Sequence, residues 1–149
     1  MIRKIYRLFL FFLLLLVGLP LTIIFFHGSI PPRGITSTLF TTWLRLASRI
    51  FGLKVTSHGT PLRHKTLFVA NHLSWLDILV VGRQIPLHFL SKHEIKAIPV
   101  LGWLATRAGT LYIHRGKRES ASEAMIEITN ALKKYHNSLV FAEGTTSNG

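Results

Sequence analysis

The sequence predicts an α/β domain, a largely parallel sheet flanked by helices, joined to an N-terminal membrane-anchoring helical segment. Three observations lead there. Beyond Lys54, short apolar runs alternate with stretches of helical periodicity, the order in which strands and crossover helices alternate in parallel sheets. From Leu8 to Phe26, about nineteen residues pass without a formal charge, close to the length that crosses a hydrocarbon core. A chain of 149 residues also suffices for one domain with a real core but not for two of ordinary size.

The apolar run follows Arg3, Lys4 and Arg7 and contains Gly18 and Pro20, which are expected to interrupt it. Basic residues also come after it, at Arg33, Arg45 and Arg49, so the positive-inside rule assigns no orientation. Two arrangements stay open: a single span, or a segment that dips in and returns with both ends on the cytoplasmic side. A cleaved signal peptide fits less well, because no small-residue cleavage site follows Phe26. After Pro31-Pro32, the residues Leu39, Phe40, Trp43, Leu44, Ala47, Ile50 and Phe51 recur at helical spacing, with Arg45 and Arg49 off that stripe. Such a stripe either packs on the domain or lies in a bilayer interface. Directly after an apolar anchor the interface is expected, with the arginines at lipid phosphates. Residues 1–53 are therefore read as membrane anchor and interfacial amphipathic helix.

In the remaining domain, residues 54–149, buried strands are expected at Thr66–Ala70, Leu87–Ser91, Thr110–Ile113 and Ser138–Phe141. Helices are expected at Trp75–Val81, Val100–Thr106 and Arg118–Tyr135, the last with Ala124, Ile128, Ala131 and Leu132 on one face together with Ala121 and Met125. The sequence stops at Asn148-Gly149, where a parallel-sheet domain would continue with a covering helix, so truncation at the C-terminus is expected.

A formal charge of +12, from 18 Lys and Arg against 6 Asp and Glu, calls for an anionic partner. Nucleic acid and acidic lipid headgroups both meet that demand. The apolar leader and the lack of any recognisable nucleic-acid module decide for an anionic membrane surface and against nucleic acid. With no cysteine, disulfides, thiolate metal sites and cysteine nucleophiles are excluded. The eight histidines show no His-x-x-x-His pairing, so no metal is expected.

The stretch Asn71-His72-Leu73-Ser74-Trp75-Leu76-Asp77 sits where the first strand hands over to a helix. With His72 in the turn and Asp77 in the first helical turns, the carboxylate can fold back onto the imidazole. It would hold one ring nitrogen as a donor and leave the other as a base. Inside one helix, five positions would place the two on different faces. The plain alternative is a solvent-facing histidine and an aspartate that is simply favourable at a helix start. Ser74 reads as a helix cap, since no Gly-x-Ser-x-Gly elbow occurs.

Those seven residues resemble the first signature of the glycerolipid acyltransferase family that includes 1-acylglycerol-3-phosphate acyltransferase. Gly109-Thr110-Leu111-Tyr112-Ile113-His114-Arg115 is similar to its second signature and Phe141-Ala142-Glu143-Gly144-Thr145 to its third. Ser91 to Trp103 is similar to the segment between the first two, and the resemblance runs from about Leu67 to the end in the family's order. It implies transfer of a fatty acyl group, in phospholipid biosynthesis, from acyl-CoA or acyl carrier protein to a lysophospholipid hydroxyl, foremost that of 1-acyl-sn-glycerol-3-phosphate. No further cofactor and no acyl-enzyme are implied. By the same resemblance His72 takes the hydroxyl proton, Asp77 orients His72 and Arg115 holds the acceptor phosphate. Glu143, Gly144 and Thr145 would shape the acceptor site, and the active site would lie on the cytoplasmic face of the membrane. Arg115 with Lys117 and Arg118 suits a phosphate-handling loop. Ala142 and Thr146 depart from the family's proline and arginine; the second change leaves one fewer cation for a phosphate and keeps the acceptor's identity open. The family's fourth motif, an apolar proline-containing strand, has no counterpart before Gly149. A basic membrane adaptor without catalysis is the alternative from another class.

Overall fold

A computed structural model describes residues 2–26, 34–63, 65–114, 118–134 and 136–142. The chain begins with α1 (Ile2–Phe25) and α2 (Ile35–Ile50), then β1 (Leu67–Ala70), α3 (Leu76–Gly82), β2 (His88–Lys92) and a 3₁₀ turn at His93–Ala97. It continues through α4 (Leu101–Arg107), β3 (Leu111–Ile113), α5 (Arg118–Lys133) and β4 (Ser138–Phe141). This is the α/β class that the alternating pattern predicts, with all strand pairings parallel.

The helix α1 is unbroken, so Gly18 and Pro20 do not interrupt it as expected. Each has a local reason. Proline removes one N–H from the helical ladder, a loss that a long helix survives. Glycine 18 is where α2 comes closest: a Cβ there would lie 2.5 Å from Trp43 Nε1, which itself donates to the Leu14 carbonyl at 3.3 Å. The hairpin is antiparallel, for Phe11 lies against Phe51 with ring centroids 5.0 Å apart and Arg7 Nη1 donates to the Phe51 carbonyl at 3.4 Å. At its other end, the Phe26 carbonyl accepts from Arg107 Nη1 of α4 at 2.7 Å. From Arg7 onward one face of α1 lies along protein, while Ile5, Leu8, Phe9, Phe12 and Leu16 turn outward and exposed.

The apolar stripe of α2 faces protein. Leu44 and Ala47 are buried together with Leu79 of α3, and Phe11, Leu14, Trp43 and Phe51 pack around them. Periodicity identifies a face that must be covered and does not say what covers it. Thr41 and Ser48, buried on the same helix, return their hydroxyls to carbonyls one turn back, Ser37 at 3.0 Å and Leu44 at 2.7 Å.

The strand order is β1-β4-β2-β3. The last strand is inserted between the first two, pairing Leu67↔Ser138 through Ala70↔Phe141 on one side and His88↔Ser138 and Phe89↔Leu139 on the other. A second core forms under this junction from Ile85, Leu87, Phe89, Leu139 and Phe141, and Phe40 of α2 packs against both cores. Burial on both faces explains why β4 reads as a continuous apolar run.

Candidate active site

Parallel strands present their carboxyl ends at one edge, where ligands of open α/β sheets collect. Here the edge gathers residues far apart in sequence. His72 follows β1, Ala142 follows β4, Lys92 ends β2, and His114 follows β3. Because β4 pairs with β1, the Ala142 N–H donates to the Ala70 carbonyl at 3.1 Å, which brings the first and third signature segments side by side.

His72 Nδ1–H donates to Asp77 Oδ2 at 2.9 Å, with the two side chains 18% and 22% exposed. That same oxygen accepts the N–H groups of Leu73 at 2.8 Å and Ser74 at 2.9 Å. The turn closes on itself, since Ser74 Oγ accepts the Leu76 N–H at 3.2 Å as a cap at the start of α3. Burial pushes the Asp77 carboxyl up, but the Ser74 N–H, the His72 ring and the Leu73 N–H together outweigh it and hold the group below its ordinary value. The carboxylate is therefore ionised at neutral pH. Its hold on Nδ1 fixes the tautomer, so Nε2 carries the lone pair; among the described residues Nε2 has no hydrogen-bond partner. A base so arranged can accept a proton from a hydroxyl within about 3 Å of Nε2.

The face of the imidazole rests on Phe141, with ring centroids 4.0 Å apart and planes 19° from parallel. Sequence reasoning placed Phe141 in a motif but gave it no role, and Lys92 it did not single out at all. The strand pairing that puts both at this edge was the missing information. Arg115, Glu143, Gly144 and Thr145, the other expected site residues, lie outside the described residues, as does Thr146.

At the opposite edge, where β2 and β4 begin, His88 and His136 are buried side by side. His88 Nδ1–H donates to the Gly109 carbonyl, and His88 Nε2 meets His136 Nδ1 at 3.1 Å. Burial drives His88 below its ordinary value, against the raising effects of the Gly109 carbonyl and Glu127; Lys134 adds to the lowering. This pair ties the starts of β2, β3 and β4 together and stands away from the His72 edge. Among the described residues no three His, Asp or Glu side chains converge as a metal site.

The sequence model of the Acyltransferase family matches residues 53–149. Over 107 residues, 72% of this chain and 41% of the relative, it is 43% identical to a lyso-ornithine lipid O-acyltransferase of Pseudomonas aeruginosa. Over 104 residues, 70% of this chain and 41% of the relative, it is 36% identical to a 1-acyl-sn-glycerol-3-phosphate acyltransferase of Neisseria gonorrhoeae. The chain thus spans about two fifths of the length of these curated relatives. The crystal structure of the 1-acyl-sn-glycerophosphate (LPA) acyltransferase PlsC from Thermotoga maritima superposes with a TM-score of 0.61 at 25% identity, over 97% of this chain and 64% of that one.

Proposed function

The chain belongs to the acyltransferase family, and from that premise we propose that it moves a fatty acyl group from acyl-CoA or acyl carrier protein to a lysolipid hydroxyl. The observation that carries this reading is the His72–Asp77 pair at the carboxyl edge of the sheet, with Nδ1 held and Nε2 without a hydrogen-bond partner among the described residues. The acceptor hydroxyl gives its proton to Nε2 as its oxygen attacks the thioester carbonyl. The tetrahedral intermediate collapses with a new C–O bond and a broken C–S bond, and the imidazolium returns the proton to the leaving thiolate. Asp77, kept ionised by its three N–H donors, offsets the positive charge that His72 holds in between. Arg115 is assigned to an acceptor phosphate and Glu143, Gly144 and Thr145 to the wall of the acceptor site, on motif position alone.

The first acceptor is 1-acyl-sn-glycerol-3-phosphate. A second reading, a lyso-ornithine lipid, is favoured by Thr146 in place of a second cation and by the resemblance to the Pseudomonas protein. The outward apolar face of α1 supports a seat in a bilayer, with anionic headgroups meeting the basic surface. The 24 residues of α1 are long and apolar enough to cross a membrane, while its contacts at Phe51 and Arg107 hold it against the rest of the chain. The active edge is assigned to the cytoplasmic side because acyl-CoA and acyl carrier protein are found there.

The test is transfer of radiolabelled acyl groups by membranes carrying the full-length protein, with each donor and each acceptor, before and after His72→Ala. A loss of about 10²–10⁴-fold is expected. Near-wild-type turnover by folded His72→Ala protein would remove the proposal.

A further inference from the structure

His72 is restrained from two directions, and only one of them is a hydrogen bond. The Asp77 contact fixes Nδ1, yet a ring held at one atom can still swing about the Nδ1···Oδ2 line. The stack on Phe141 removes that swing, because a ring lying 4.0 Å from another at 19° has a defined plane. Together the two contacts define where Nε2 points. Phe141 is itself rigid: it is 8% exposed, packed with Ile85, Leu87, Phe89 and Leu139, and its backbone is paired with Ala70 of β1.

The contact also has a charge consequence. An aromatic face carries negative potential, so a cation centred over it within about 6 Å is attracted, more strongly when both are shielded from water. His72 would be a cation only while it holds the acceptor's proton. An attraction present in that interval and absent before it lowers the barrier without tightening substrate binding.

We propose that Phe141 is a positioning residue for acyl transfer, whose ring both fixes the plane of His72 and stabilises the imidazolium formed during the reaction. The inference rests on His72 being the base. It adds to that reading a contribution from the third signature segment that is made to the base rather than to the acceptor.

The experiment uses the full-length protein with Phe141 replaced by mono-, di- and pentafluorophenylalanine, which keep the ring's shape while withdrawing and finally reversing its face potential. Phe141→Leu, which keeps apolar volume without a ring, completes the series. Expected is a stepwise fall in kcat across the fluorinated rings, reaching roughly five- to thirtyfold, with KM for the acceptor little changed and the thermal midpoint preserved. Phe141→Leu should lose at least as much. In a His72→Ala background, fluorination should leave the residual rate unchanged. If the pentafluoro protein does not fold, the slope across the mono- and difluoro forms decides. A flat kcat across the folded series, with His72→Ala still abolishing transfer, would overturn the proposal and leave Phe141 as core filling. Transfer that survives His72→Ala would instead remove the base assignment, and this inference with it.

Discussion

Replacing Asp77 by asparagine removes one charge and almost no volume. In the folded protein a single oxygen accepts from His72, Leu73 and Ser74 at 2.9, 2.8 and 2.9 Å. An amide oxygen can take the same three donors, so His72 keeps its tautomer and its place. What disappears is the attraction between carboxylate and imidazolium. At the 2.9 Å separation it amounts to about 6 kcal/mol at an effective dielectric of about 20 and about 1.4 kcal/mol under water-like screening. With the two side chains 18% and 22% exposed, a value of about 3–4 kcal/mol lies between these limits, a loss of roughly 10²–10³ in rate. Exchanging three charge-assisted bonds for neutral ones also costs about 1 kcal/mol each in stability. The assay is kcat at saturating donor and acceptor, paired with thermal unfolding by circular dichroism. Asp77→Asn should lower kcat by that factor, leave KM for the acceptor nearly unchanged and lower the thermal midpoint by several degrees. In a His72→Ala background it should cost no further rate. A folded Asp77→Asn protein with kcat within about threefold of wild type would refute the coupling, since even full water-like screening predicts about tenfold.

Three other perturbations have defined outcomes. Gly18→Val should destabilise the hairpin by about 1–3 kcal/mol, read as a lower thermal midpoint, because a side chain at position 18 displaces Trp43 from the Leu14 carbonyl; an unchanged midpoint would mean α1 and α2 separate at little cost. His88, depressed by burial, binds fewer protons folded than unfolded, so its contribution is whole above its ordinary value of 6.5 and is lost as pH falls below it. Thermal midpoints should therefore drop as pH falls below about 6.5, and His88→Gln should flatten that drop while lowering the plateau; a wild-type midpoint that stays level as pH falls through and below that value would refute it. Thr146→Arg should raise the kcat/KM preference for 1-acyl-sn-glycerol-3-phosphate over a lyso-ornithine lipid by about 10- to 100-fold, as one charge-assisted contact allows. An unchanged ratio with activity retained would show that this position does not face the headgroup.

What was legible in the sequence was local. The strand at Ser138–Phe141 is found with the bounds that its apolar run gives, and the other strands shift by about one residue at an end, where backbone pairing and not apolar patterning sets the limit. The contact between His72 and Asp77 was legible for the same reason: a strand-to-helix turn has few ways to fold over five residues. The stripe of α2 was visible but its covering was not, since Leu44 and Ala47 meet Leu79, a residue that helical spacing does not connect to them. Strand order lay beyond reach too. No periodic signal tells β4 to enter between β1 and β2, and the stack of Phe141 on His72 follows entirely from that insertion. The His88–His136 pair likewise needs the alignment of β2 with β4, and spacing along the chain hid it.

The inserted strand also sets a timetable. Ribosomes release a chain from its N-terminus, and β1 and β2 leave first without being neighbours in the finished sheet. Only Ser138 to Phe141 can bridge them, pairing β1 over its whole length and β2 at its start. Until that segment emerges, the nascent chain holds β1 with an unsatisfied edge on either side, exposed to mispairing. His72 meanwhile has no aromatic floor. Assembly of the proposed base is thereby deferred until nearly all of this sequence has been made, and a chain stalled before β4 would be unable to carry a competent centre to the membrane.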